Sequence, residues 1–309
     1  MKEVHNLNVC NVNLEYYIED YVYIYNPKNE RMLQADQNTL EYLKSYNIET
    51  SEKVEGLERF LFGNKKYNLL NFKLLTLSVS TKRFETLYKI ENIKFFKYLF
   101  LCLLIIFGTT FPFVIKEAYS FYNSNSMNFN VYYLLYIYIA QLFIISFHEF
   151  SHYYTYRKYI NSNNMRFGII IRYFFLLLFF TNVNYMRTLE RKQKISIMLS
   201  GIVGQMLLGS LLAIVYFLSK SDVILYVYLI NCIIIFINMM PFLKLDGYWV
   251  INLIIGSEDY MKNFKKFILN RQKIKSSELL LGLVNFILIT AVISSGVYWV
   301  FDIVRRGIN

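Results

Sequence analysis

Phe147-His148-Glu149-Phe150-Ser151-His152 closes an apolar run that begins near Val131, and the character of the whole chain follows from it. The spacing is HExxH. On an α-helix, positions i and i+4 lie about 40° apart on one face, so His148 and His152 can offer two ring nitrogens to one zinc ion while Glu149 points at a water beside it. The alternative, two histidines merely solvated near a helix end, sits poorly with a chain that holds only 3 histidines and places two of them here. Residues 131 to 147 carry no charge, and the run from 131 to 155 is long enough to cross a bilayer core of about 30 Å. Ionisable groups at that depth are costly, which marks them as functional.

Composition agrees with a membrane setting. With 55% hydrophobic and 18% aromatic residues, 3 prolines and a mean hydropathy of +0.31, the chain departs from soluble domains. The expected fold class is an α-helical polytopic membrane protein. The net charge of +11 could suggest nucleic acid, but Lys and Arg cluster in the hydrophilic segments between apolar runs, as the positive-inside rule requires. No nucleic-acid-binding module accompanies them, so that class is excluded. Cys10, Cys102 and Cys232 are far apart and read as small apolar residues, without disulfide or CxxC spacing. The first 30 residues hold Glu3, Glu15, Glu19 and Asp20 and no continuous apolar stretch, so the expectation is an N-terminus in the cytoplasm without a cleavable signal.

Residues 1–90 are polar enough for a small α+β cytosolic domain. Tyr17 to Tyr25 alternates like one strand, Asn26-Pro27-Lys28-Asn29 is a turn, and Arg31 to Ala35 returns as its hairpin partner. Helical spacing follows in Leu40, Leu43 and Tyr46. A second helix, capped by Thr50-Ser51, is expected to bury Val54, Leu57, Phe60 and Leu61 and to stop at Gly63. Hairpin and two short helices together resemble the winged-helix peptide-recognition elements of modified-peptide biosynthesis; the competing reading is a plain cytosolic cap. Asn68 to Ser80 alternates again and is expected to lie along the membrane surface.

Residues 95–309 form the membrane domain, with about five spans expected. Tyr98 to Ile115 is the first, the HExxH helix the second, Ile195 to Leu218 the third, Val223 to Met240 the fourth and Leu279 to Phe301 the last. Gly201, Gly204 and Gly209 in the third allow close helix approach. Gly168 to Thr181 is apolar but short, and reads as re-entrant or interfacial. Arg157, Lys158, Arg166, Arg187, Arg191, Lys192 and Lys194 place the segment 157–194 in the cytoplasm with the N-terminus.

A catalytic zinc takes three protein ligands and a water. His5 lies in the polar N-terminal part, and from Val131 onward only Glu149 and Asp246 among the acidic residues sit in apolar surroundings. Asp246 belongs to Asn238-Met239-Met240-Pro241-Phe242-Leu243-Lys244-Leu245-Asp246-Gly247, where Pro241 breaks a helix and Gly247 permits close backbone approach. A cytoplasmic loop is the bland reading of this decapeptide; a two-histidine site in need of a third ligand makes Asp246 the leading candidate.

HExxH late in one membrane helix, followed some ninety residues later by NxxPxxxLDG, resembles the site-2 protease family of intramembrane zinc metalloproteases over about residues 131–256. The resemblance implies Zn²⁺ held by His148, His152 and Asp246, Glu149 as general base, and Asn238 as a polar helper beside substrate. Where that family often has Gly-Pro-x-x-Asn, this chain has Gly201-Ile202-Val203-Gly204-Gln205, which leaves Gln205 as the candidate second helper. The implied substrate is a membrane-embedded or membrane-associated peptide, and the implied location a multi-pass protein of the cell membrane. A desaturase or hydroxylase would need many more histidines. A membrane protein for peptide export or immunity with a vestigial zinc site is the alternative from another class.

Overall fold

The computed structural model describes residues 2–47, 54–64, 71–81, 94–123, 131–162, 164–172, 176–181 and 183–308. The chain divides into two compact units, Met1–Ile233 and Ile234–Asn309.

The first unit opens with β1 (Lys2–Glu3), then a four-stranded antiparallel meander of β2 (His5–Val9), β3 (Val12–Ile18), β4 (Val22–Asn26) and β5 (Arg31–Ala35). Period-two alternation sends Val9, Val12, Leu14, Val22 and Ile24 to one face. There α1 (Gln37–Ser45) and α2 (Glu55–Phe62) cover them with Leu40, Leu43, Leu57, Phe60 and Leu61. Asp36 caps α1 by accepting from the Thr39 N–H at 2.8 Å, as a helix start requires. The end of α2 is tied down by the β4–β5 turn. Asn26 Nδ2 donates to the carbonyls of Phe60 and Leu61 at 2.9 and 3.0 Å, and Asn29 Nδ2 donates to Phe60 at 2.7 Å.

Two sequence expectations for this part are corrected. Tyr17 to Tyr25 is two strands, β3 and β4, folded about Glu19-Asp20-Tyr21, with Tyr17 paired to Tyr23 and their rings stacked 5.1 Å apart. The alternation persists through the hairpin, so periodicity alone could not reveal the turn. Val54 is 53% exposed at the N-cap of α2, one residue before the helix begins. The Thr50-Ser51 cap lies outside the described residues.

The opposite face of the meander packs on the rest of the unit. Tyr17 and Tyr25 share a core with Tyr153, Tyr156, Ile160, Tyr185 and Ile197. Tyr17 is fully buried, its hydroxyl is hydrogen bonded to Thr188, and burial pushes the phenol up to about 12. Glu15 also has a raised pKa, because burial outweighs the Arg166 guanidinium 2.7 Å away.

Among the described residues four helices are long and apolar enough to cross a membrane, which makes the chain a polytopic membrane protein. They lie in α3 (Lys94–Asn123), α4 (Val131–Arg157), α5 (Arg191–Ser219) and α6 (Asp222–Met239), the last carrying the boundary between the units. The fifth expected span falls in α9 (Ser276–Ile308). Its stretch Ser276–Ala291 is apolar but shorter than a span, and several side chains beyond it lie outside the described residues.

Within the apolar run Gly168 to Thr181 the described residues form strands, not a helix. The run contributes to β8 (Asn164–Arg172) and β9 (Leu176–Thr181), which form an antiparallel sheet with β6 (Asn71–Ser80) in the order β6-β8-β9. Ile169, Ile170 and Ile171 favour a strand, and a short apolar run cannot be assigned to helix or strand by periodicity alone. The two-residue β7 (Ile160–Asn161) pairs with β1 in parallel.

In the second unit, α7 (Asp246–Ile255) and α8 (Tyr260–Asn270) precede α9. Asp259 accepts from the Lys262 N–H at 3.0 Å to cap α8, and from Lys244 at 2.7 Å. Burial alone would raise its pKa; these bonds and one from the Tyr248 hydroxyl outweigh that and hold it below the usual carboxylate range.

Candidate metal centre

His148 and His152 sit one turn apart near the C-terminal end of α4, buried at 5% and 8% exposure. Their rings stand perpendicular, and their Nε2 atoms face each other at 3.0 Å. Helix α5 fixes the opposite nitrogens. His152 Nδ1 lies 2.7 Å from the carbonyl oxygen of Ile197, an atom that can only accept, so Nδ1 carries the proton. His148 Nδ1 lies 2.9 Å from Gln205 Oε1 and donates to it in the same way.

Both Nε2 atoms therefore present lone pairs to the same point, where their mutual repulsion calls for a cation. Two nitrogens bound to one zinc ion at about 2.0–2.1 Å stand roughly 3.3 Å apart at a tetrahedral angle, close to the distance found here. The pair fits zinc in donor type, tautomer and spacing.

This approach depends on Gly201. A Cβ added there would lie 2.5 Å from His148 Cε1 and 2.5 Å from His152 Nε2, so only a glycine lets α5 come this near to the two rings. One turn on, Gly204 faces the Ser151 side chain, and Ser200 Oγ donates to the Ser151 carbonyl at 3.1 Å. Glu149, between the histidines, is half-buried. Its backbone carbonyl accepts from Thr181 Oγ1 at 3.1 Å, which seats the end of β9 against the HExxH turn.

Asp246 is the first residue of α7, in the second unit, and is half-buried. Gly247 explains how it is presented. A Cβ there would strike the carbonyl groups of Met239 and Asn238, so the α6 end and the α7 start touch backbone to backbone. The intervening loop is braced by Tyr260, whose hydroxyl donates to the Pro241 carbonyl at 2.8 Å, and by Asn285, whose Nδ2 donates to Phe242 at 3.2 Å. Asn238, the candidate helper, lies half-buried in the last turn of α6.

Gln205, the other candidate helper, is fully buried and places its Oε1 on the ring of His148. Sequence reasoning assigned no orienting partner to either histidine. An amide inside the apolar part of α5, four residues beyond Gly201, was the available signal; the Ile197 carbonyl gave none. Outer partners of this kind set ligand orientation and basicity. Gln205→Leu is accordingly expected to lower zinc affinity by about 10- to 100-fold, with Gln205→Glu retaining most of it. Competition with a chromogenic chelator measures this, and unchanged affinity in Gln205→Leu would remove the orienting role.

No family model matches the chain, and no solved structure matches it. A protein of Bacillus subtilis (strain 168) named "Putative peptide zinc metalloprotease protein YydH" is 23% identical over 282 residues, covering 89% of this chain and the whole of that protein. By that name the likeness is to a zinc metalloprotease.

Proposed function

We propose that this chain is an intramembrane zinc metalloprotease of the site-2 type, cleaving a peptide bond in a membrane-embedded or membrane-associated peptide, with maturation or export of a modified peptide as its setting. The observation that carries the reading is the pair of inward-facing Nε2 lone pairs, 3.0 Å apart, on a helix apolar enough to span a bilayer. The full-length likeness to a protein named as a peptide zinc metalloprotease supports it. His148 and His152 hold the metal, and Asp246 completes the protein ligands.

A zinc ion held by His148, His152 and Asp246 would supply Lewis-acid chemistry, polarising a scissile carbonyl and making a nucleophile available from water near neutral pH. Glu149 accepts the proton of the attacking water and passes it to the departing amide nitrogen. A helical substrate must first unwind, because its backbone groups are held by its own hydrogen bonds. Asn238 is the side chain assigned to hold the unwound segment.

Metal analysis combined with a cleavage assay tests this. Purified protein is expected to carry about one zinc per chain, to lose cleavage on treatment with a strong chelator, and to regain it on adding zinc back. Metal-free protein that cleaves at full rate would refute the proposal, as would fully loaded protein that cleaves no peptide; the latter is the outcome for a non-proteolytic export or immunity protein.

The N-terminus and the segment 157–194 are assigned to the cytoplasm of a bacterial cell. Their shared tyrosine core supports placing them on one side, and the Lys and Arg content names the side. In a background lacking Cys10, Cys102 and Cys232, a cysteine at Ser162 should resist a membrane-impermeant thiol reagent in intact cells and one at Ser221 should react. Labelling of Ser162Cys from outside would overturn the assignment.

A further inference from the structure

The first unit carries a second concave feature away from the histidines. A groove of about 630 Å³ lies beside β5 and α2, lined by the cations Arg31, Arg59, Lys73 and Arg187. It meets a second groove of about 450 Å³ at Lys73 and Glu30, which line both. Lys28 and Arg166 line that continuation. Among the described lining residues Glu30 is the one carboxylate, and its partner is Lys73. Arg166 is paired with Glu15. Arg59 has only an exposed pair with Glu55 at 3.3 Å, which is worth little. Lys28 and Arg187 have no carboxylate partner among the described residues.

Met32, Leu33 and Phe60 also line the first groove, and Phe180 the second. Gly56 leaves the α2 wall open, since a Cβ there would meet nothing within 4 Å. Phe180 lines this continuation, one residue before Thr181, whose hydroxyl is bonded to the Glu149 carbonyl.

We propose that this trough binds an extended acidic segment of the peptide substrate, in which carboxylates meet the cationic rim. The charge of the rim selects the sign of the ligand, and a concave groove fits a peptide better than a flat array of lipid headgroups. Arg187 lies far beyond residue 90, so an excised N-terminal fragment lacks part of the wall. Calling the ligand a substrate rests on the protease reading; the binding itself does not.

The probe is a fluorescein-labelled twelve-residue peptide of alternating Glu and Leu, titrated with full-length protein in neutral detergent and followed by anisotropy. The double variant Arg59→Glu, Arg187→Glu should weaken binding about tenfold or more, Arg59→Lys should bind as the parent does, and Lys44→Glu, outside the trough, should change it less than about twofold. The matching Lys-Leu peptide should not compete. Binding should survive removal of zinc by chelator, so a failure of the metalloprotease reading would leave this result standing. Equal binding by the double variant, or equal loss with Lys44→Glu, would overturn the proposal. So would absence of peptide binding together with trough-dependent cosedimentation on phosphatidylglycerol vesicles, which would make the trough a lipid-headgroup surface. The substituted arginines are exposed, and a melting curve matching the parent's identifies a folded double variant; should it not fold, the neutral Arg187→Gln is titrated in its place, with weaker binding expected and unchanged binding overturning the proposal.

Discussion

Glu149→Gln is expected to keep its zinc and to lose cleavage by a factor of about 10² or more. The amide has the shape of the carboxylate and can still hydrogen bond, but it cannot accept a proton from the attacking water. The exchange leaves the tie between β9 and this turn in place, because that tie is made to the Glu149 backbone carbonyl. Metal analysis beside a single-turnover assay separates the two quantities. Cleavage at the parental rate would mean that the chain is not the metalloprotease proposed above.

Loss of the metal itself gives the other large effect. His148→Ala, His152→Ala and Asp246→Ala each remove one proposed ligand, and in each zinc content and activity should fall together. Gly201→Ala should produce a related loss without touching a ligand. Its methyl group would sit 2.5 Å from atoms of both imidazoles, and the strain of forcing rings and helix apart is about 1–3 kcal/mol, or roughly ten- to a hundredfold in metal affinity. Gly204→Ala should lower both the melting temperature and zinc affinity, since its methyl group would meet Ser151, between the two histidines, at 2.2 Å and press the same two helices apart. Asp246→Ala with full zinc and full cleavage would remove that residue from the ligand set, and Gly201→Ala with parental affinity would show that α5 yields to the rings.

How much of this was legible in the sequence depended on whether chemistry or topology set the constraint. Metal binding on a helix dictates a four-residue separation, so His148 and His152 stand out in any apolar run that carries them. Hydropathy likewise marks the four spans, because a bilayer requires a length of helix that no loop imitates. The orienting atoms obey no such rule. Ile197 and Gln205 lie 45 and 57 residues from the histidines they serve, and one of them acts through its backbone. The β6-β8-β9 sheet was hidden for a similar reason, since Asn71–Ser80 finds its partner strand only after α3 and α4 have intervened. Tyr17 to Tyr25 shows the converse failure, in which a correct period conceals a reversal of direction.

The tyrosine-rich face of the N-terminal meander has a consequence for how the molecule is made. One core of the meander needs nothing beyond Leu61 and can close while the ribosome is still producing the first membrane helix. The other cannot be completed early, because Tyr17 waits for Tyr153, Tyr156, Tyr185 and finally Thr188, a separation of 171 residues. At about 5–20 residues per second that is an interval of roughly ten to thirty seconds, during which two helices are delivered to the bilayer and the sheet keeps one aromatic side bare. The meander is therefore finished by its own downstream chain, on whichever side of the membrane that chain emerges, and a nascent polypeptide truncated before residue 188 would carry a folded half-sheet with an adhesive back.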